Sequence, residues 1–113
     1  VQEAFARLDP LASENQRRAA LARFLFRGTQ AERRVESLSG GERLRAGLAC
    51  ILGHSQPRQL LLLDEPSNHL DLDAIDALEG ALNGYDGAMI VVSHDPSFLS
   101  RLGLTRRLEL GPP

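Results

Sequence analysis

The sequence predicts an α/β domain built on a parallel strand–helix–strand unit, and three observations predict it. Gln59-Leu60-Leu61-Leu62-Leu63 runs unbroken into Asp64-Glu65-Pro66, and Ala88-Met89-Ile90-Val91-Val92 runs unbroken into Ser93-His94-Asp95-Pro96. Between them Leu72, Ile75, Leu78 and Leu82 recur at helical spacing, closed by the turn-forming Asn83-Gly84-Tyr85-Asp86-Gly87. Unbroken apolar runs of this length suit strands buried on both faces, as in a parallel sheet. A crossover of this kind is right-handed with parallel strands, so both strands end on one edge of the sheet. His94 and the Asp64-Glu65 pair therefore converge at the carboxyl edge, where open α/β sheets bind ligands.

Composition bounds the rest. The 113 residues are enough for one modest core, and with 42% hydrophobic but only 4% aromatic residues that core is mainly aliphatic. A formal charge of -2 gives no basic footprint for nucleic acid. Cys50 is the single cysteine, so no internal disulfide forms, and its place among apolar helix residues suits a small buried hydrophobe. No apolar run approaches the ~18 residues of a membrane span, and the expectation is a soluble, cytoplasmic protein. The chain opens on Val1, as expected of a piece of a longer protein.

Taken in order, residues 1 to 27 read as helical. Val1, Phe5 and Leu8 share a face before Asp9-Pro10 breaks the run. Ser13 and Gln16 have capping-box spacing and start a second helix through Ala19, Ala20, Leu21, Leu25 and Phe26, with Gly28 placed to end it. Arg17, Arg18 and Arg23 read as a solvated face, and residues 29 to 37 as a loop or frayed turn. Ser39 and Glu42 repeat the capping-box spacing ahead of a helix through Leu44, Leu48, Ile51 and Leu52. A helix cap alone accounts for those two residues, but it needs no paired glycines. Ser39, Gly40 and Gly41 bare amide donors and a hydroxyl at a helix N-terminus, which suits a phosphate. Glu42 would repel that phosphate unless a cap or a ribose hydroxyl occupies it.

Gly53 to Arg58 reads as a turn with His54 exposed. At the end of the leucine strand, Asp64 suits a hydrated Mg²⁺ and Glu65 suits polarising a water, against the plainer alternative of a solvated acidic turn. Asp71 is placed to cap the next helix, and Asp73 and Asp76 complement its dipole better than they build a metal site. A lone histidine after a strand is usually structural, but beside two carboxylates His94 points to function. Asp95 and Pro96 start a short helix through Phe98, Leu99 and Leu102. Thr105 to Leu110 reads as a final strand.

Leu38-Ser39-Gly40-Gly41-Glu42, Leu60-Leu61-Leu62-Leu63-Asp64-Glu65-Pro66, Ser67-Asn68-His69-Leu70-Asp71 and Val92-Ser93-His94-Asp95, in this order, strongly resemble an ATP-binding cassette (ABC) ATPase domain. Arg23-Phe24-Leu25-Phe26 is also similar to the helical subdomain that precedes the signature. The resemblance implies that residues 38–42, with Ser39, Gly40, Gly41 and Glu42, are the signature, which closes on the γ-phosphate of ATP held by a partner cassette. It implies Asp64 as the Walker B aspartate positioning Mg²⁺ through water, Glu65 as the general base and His94 as the switch histidine. Asn68 to Asp71 would be the D-loop linking the two sites of a dimer. Asn68-His69-Leu70-Asp71 after Glu65-Pro66-Ser67 is most similar to the ABC-F group, tandem-cassette proteins that act at the ribosome.

The departures shape the expectation as much as the matches do. No Gly-x-x-x-x-Gly-Lys-Ser/Thr occurs in these residues, so the phosphate-cradling loop is missing. Ser67 stands for the usual threonine, and Pro96 for an arginine common after Ser-His-Asp. The expected fold is thus a partial P-loop NTPase-type ABC cassette, with a helical subdomain over residues 1–52 and part of the α/β core over 53–113. Such a chain would serve Mg·ATP binding and hydrolysis in an intact parent and be inactive alone. Its expected partners are a second cassette, in cis or in trans, and the ribosome. An unpaired strand edge would also permit self-association. The alternatives are a transporter cassette bound to a membrane subunit, or a non-catalytic module completing a partner's ATP site.

Overall fold

The computed structural model describes residues 1–57, 59–106 and 108. In order they form α1 (Gln2–Leu8), α2 (Glu14–Arg23), two 3₁₀ turns (Gly28–Glu32 and Val35–Ser37), α3 (Gly40–Leu52), β1 (Leu60–Asp64), α4 (Leu72–Asn83), β2 (Ala88–Val92) and α5 (Pro96–Ser100). β1 and β2 pair in parallel, Leu60 with Ala88 through Asp64 with Val92, as the crossover rule requires. α1 packs on α2, α2 on α3 and α3 on α4. Phe5, Phe24, Phe26, Phe98, Leu21, Leu78 and Leu82 are the largest fully buried apolar side chains, and all belong to one core.

The strands are not buried on both faces. Leu61 and Leu63 point into the core, whereas Leu60 and Leu62 are 53% and 71% exposed. Ile90 and Val92 of β2 share their outer face. The pleat alternates side chains, and among the described residues helices cover only one side of a two-stranded sheet. The unbroken apolar pattern therefore leaves half its residues in water.

Both expected capping boxes form. Ser13 with Gln16 starts α2, and Ser39 with Glu42 starts α3. α2 ends at Arg23, however, and does not run through Leu25 and Phe26. The Phe26 amide donates to the Leu21 carbonyl at 2.9 Å and the Leu25 amide to the Ala22 carbonyl at 3.1 Å. That is a Schellman closure, with Leu25 in the left-handed position usually held by glycine (φ +74°). Burial of Phe24 and Phe26, each 1% exposed, compensates the strain. Arg45 of α3 completes the turn: it donates to the Phe24 carbonyl at 3.0 Å and lies 4.9 Å over the Phe26 ring. At the end of α3, a Cβ on Gly53 would fall 2.4 Å from the Ala20 Cβ, so α2 and α3 meet this closely only over a glycine.

Other expectations need correction. Leu8, Ile51 and Leu72 are exposed, Leu72 at 80%, because each lies on the solvent side of its helix. Arg17 and Arg18 are not simply solvated: Arg17 donates to Gln2 and the Ala12 carbonyl, and Arg18 pairs with Glu14 and Glu32. Residues 28–32 and 35–37 form the two 3₁₀ turns, joined by Arg33 and Arg34. α5 ends at Ser100, with Leu102 buried just beyond it. Thr105, Arg106 and Leu108 are not in a strand, and the rest of the expected final strand lies outside the described residues. Asn83 holds the end of α4 to that segment, accepting from the Gly103 amide at 2.7 Å and donating to the Arg101 carbonyl at 3.2 Å. Burial pushes the Cys50 thiol up to about 11, as suits an inert core thiol.

Asp9 is a buried carboxylate, 1% exposed, that the pattern reads only as a helix breaker. It accepts from the Ser55 amide at 2.6 Å and the Ser55 hydroxyl at 2.5 Å, tying α1 to the turn after α3. His54, expected in solvent, is folded back over this pair, 3.7 Å from Asp9 and 3.3 Å from the Leu8 carbonyl. Burial opposes the charge on Asp9, but the Ser55 hydroxyl and amide outweigh it, with help from His54. The carboxyl is held below its ordinary value of 3.8.

This packing sets two measurable outcomes. Leu78→Ala opens a cavity and costs about 2–5 kcal/mol, lowering the thermal midpoint by roughly 10 °C or more, whereas Leu72→Ala stays within about 0.5 kcal/mol. A depressed carboxyl stabilises fully above its unfolded value and loses that contribution as pH falls through the folded value. Melting from pH 7 to pH 2 should therefore show the wild type losing stability below about pH 4 more steeply than Asp9→Asn.

Candidate nucleotide site at the carboxyl edge

The parallel ladder continues one residue past β1. The Glu65 amide donates to the Val92 carbonyl at 2.7 Å, and Glu65 then turns into the left-handed region (φ +49°). A non-glycine residue held there is costly and is fixed by its surroundings. Here the fixing bonds come from the end of β2. The His94 amide donates to Glu65 Oε1 at 3.0 Å, and His94 Nδ1 sits on the same oxygen. The Glu65 side chain is 22% exposed, and that of His94 is 93% exposed. First the hydrogen bond to the Glu65 carboxylate, then the charges of Glu65 and Asp64, hold the imidazole above its ordinary 6.5. Asp64, Glu65 and His94 are thus brought together as the strand order implies.

Pro66 to Leu70 fold into turns over the buried Ser67. The Asn68 amide donates to the Glu65 carbonyl at 3.2 Å, and His69 adopts a left-handed φ of +65°. Asn68 is exposed. Asp71 caps α4, its Oδ1 accepting from the Ala74 amide at 2.9 Å, so this carboxylate has a structural task.

The Ser39–Glu42 segment lies against this turn. A Cβ on Gly41 would come 3.0 Å from the His69 carbonyl, tighter than that backbone atom easily yields to, whereas Gly40 faces open space. Close approach therefore explains Gly41, and only Gly40 is left free for a ligand's approach. Ser39 Oγ accepts from the Glu42 amide at 3.2 Å, and Glu42 accepts from the Ser39 amide at 2.9 Å. Glu42 has a second use that spacing did not reveal: Arg33, nine positions earlier and outside any helical register with it, grips its carboxylate. Arg33 above all, then the Ser39 amide, pull the Glu42 carboxyl down to about 2, against the opposing effect of burial.

Among the described residues no group of three or more His, Cys, Asp and Glu side chains is placed to cage a metal. Mg²⁺ does not need one: it keeps several waters and takes one or two carboxylates plus substrate phosphates. An exposed Asp64 at a strand end fits that habit. A separate cavity of about 540 Å³ lies at the opposite, amino-terminal ends of the strands, lined by Arg23, Pro57, Asp76, Tyr85 and Asp86 among others. It shares no residue with the carboxyl edge. Among the described residues no helix is long and apolar enough to cross a membrane.

No family model matches the chain. The chain is 46% identical over 101 residues to the putative ATP-binding protein YdiF of Bacillus subtilis, covering 89% of this chain and 15% of that protein. It is 48% identical over 93 residues to the probable ATP-binding protein YheS of Haemophilus influenzae, covering 82% and 14%. It is 45% identical over 94 residues to the energy-dependent translational throttle protein EttA of the same organism, covering 83% and 16%. The chain thus spans about one sixth or less of the length of these relatives. Identity of this extent across the whole run from helices to strands places the chain in the ATP-binding cassette family, among ATPase domains of the ABC-F-like type.

Proposed function

We propose that this chain is the C-terminal part of a nucleotide-binding cassette in an ABC-F-like ATPase. In this reading residues 1–52 are its helical subdomain and 53–113 part of its α/β core. The observation that carries the reading is the pairing of Glu65 with both His94 nitrogens, amide and Nδ1, at the shared end of two parallel strands. A carboxylate fixed in this way, ahead of an exposed imidazole, is equipped to orient a water and take its proton while the histidine meets an anionic group from outside.

The reaction would be attack of water on the γ-phosphoryl group of ATP, which depends on positioning and charge stabilisation. Glu65 acts as the general base, its carboxylate held by the amide and ring of His94. His94 donates to Glu65 through Nδ1 and leaves its second ring nitrogen for the γ-phosphate. Asp64 would hold Mg²⁺ through water, and bound there the ion would offset the charge building on the phosphoryl oxygens. Ser39 and Gly40, with the amide of Gly41, would meet the γ-phosphate of ATP held by a second cassette. Asn68 and Asp71 shape the turn that touches the signature through His69. The sequence carries no phosphate-cradling loop, so we expect the chain alone to hydrolyse no ATP.

The partners in this reading are a second cassette, in the same protein or another, and the ribosome, in keeping with the translational role named for the EttA relative. The cytoplasm is the matching compartment. The open edge and bare outer face of the sheet suit either the remainder of the cassette or, in isolation, a second copy of the chain.

In the intact protein, Glu65→Gln should abolish ATP turnover, at least 100-fold in kcat, while ATP binding persists in a direct titration. Turnover near wild type would remove Glu65 from the base role. A second outcome concerns pH. A histidine whose folded value is raised stabilises the fold fully below its unfolded value, and that contribution fades as pH rises through the folded value. The His94 ring should titrate above 6.5 by NMR and fall back in Glu65→Gln. The stability difference between wild type and His94→Gln should be largest below about pH 6.5 and shrink above it.

A further inference from the structure

A carboxylate in the first turn of a helix opposes any phosphate arriving at that helix N-terminus, and Glu42 is such a carboxylate. Its surroundings remove the conflict. Arg33, between the two 3₁₀ turns, presents Nη1 to Glu42 Oε2 at 2.5 Å and Nη2 to Oε1 at 3.3 Å. That two-pronged grip is itself held, since Nη2 also donates to the Ser37 carbonyl at 3.2 Å and Nη1 to Gln30 at 3.2 Å. Arg45 adds a second cation 3.8 Å from Oε2, and is anchored by the Phe24 carbonyl and the Phe26 ring. The Arg33, Glu42 and Arg45 side chains are 30%, 23% and 15% exposed, so water screens them less than it screens a surface pair.

Two consequences matter for an incoming anion. Both Glu42 oxygens are turned toward the Ser39 amide and the arginines, and two cations face one anion. Ser39 Oγ accepts from the Glu42 amide and so keeps its hydroxyl proton for donation. The first amide donors of α3, at Gly40 and Gly41, have no carbonyl one turn back to bond.

We propose that Arg33 is a positioning residue for ATP recognition: by clamping and neutralising Glu42 it keeps the start of α3 attractive to the γ-phosphate offered by a second cassette. Arg33 does not touch the nucleotide. It acts through Glu42, and the proposal rests on the reading of residues 39–41 given under Proposed function.

The test is a charge-rescue cycle in the intact protein. Arg33→Met leaves Glu42 with Arg45 alone, so KM for ATP should rise about tenfold with kcat within twofold, because a ground-state contact is weakened. Glu42→Gln keeps the cap, since glutamine serves a capping box equally, and sets the KM against which the double variant is read. Arg33→Met/Glu42→Gln should return KM to within about threefold of wild type. Arg33→Lys, which retains the charge but not the two-pronged grip, guards against a folding defect in the methionine variant and should recover part of the KM lost in Arg33→Met. A double variant as impaired as Arg33→Met, or an unchanged KM in Arg33→Met, overturns the proposal. A second readout needs no ATP: in this chain the Glu42 carboxyl should titrate near 2 in the wild type and move toward 4.5 in Arg33→Met. An ordinary value in the wild type would overturn the proposal directly. Loss of all ATP hydrolysis in the wild-type protein would instead sink the underlying reading and the proposal with it, whereas hydrolysis insensitive to Arg33 sinks the proposal alone.

Discussion

Pairing Leu60 with Ala88 in a parallel ladder sets Asp64 opposite Val92, and one further bond, from the Glu65 amide to the Val92 carbonyl, anchors the chain as it leaves the strand. The chain cannot shift by one residue without turning Leu61 and Leu63 out of the core. Register therefore belongs to packing, and register brings Glu65 to His94. The interlock is mutual. The glutamate amide bonds the β2 end, while its carboxylate receives the amide and ring of the residue two past that end. Such reciprocity holds a left-handed glutamate in place, and the same contact holds the histidine above its ordinary 6.5.

The helical part is organised around α3, which links the two halves of the chain. Its first turn carries the Ser39–Glu42 cap, its second carries Arg45, and its end requires Gly53 to lie against Ala20. Arg45 reaches back to the Schellman turn after α2, and Arg33 reaches forward to Glu42. The buried Asp9 then binds Ser55 just beyond α3. Three polar links thus join separate segments of the chain, each on a partly or fully buried side chain where an unmet partner would be costly.

The sheet carries an imbalance that its own helices do not resolve. Leu60, Leu62, Ile90 and Val92 form an exposed apolar face on one side of the two strands. The chain spans only 14 to 16% of the length of the relatives named above.

The sequence by itself determined the elements whose signals are local. Both capping boxes, the Asp71 and Asp95 caps and the two apolar strands are written within a few residues and were legible there. The parallel crossover was legible too, because handedness leaves one arrangement, and with it the convergence of Asp64, Glu65 and His94. The ordered motifs also carried the family. Tertiary structure decided what depends on neighbours distant in sequence. An unbroken leucine run does not say how many of its faces find a helix, so the bare face of β1 was not legible. α2 stops before Leu25 because buried Phe24 and Phe26, with Arg45, hold that leucine left-handed, and no propensity signals it. Arg33 reads as one more loop arginine, and Asp9 as a helix breaker, until folding brings Glu42 and Ser55 to them. Burial makes those bonds strong, and burial is a property of the assembled chain.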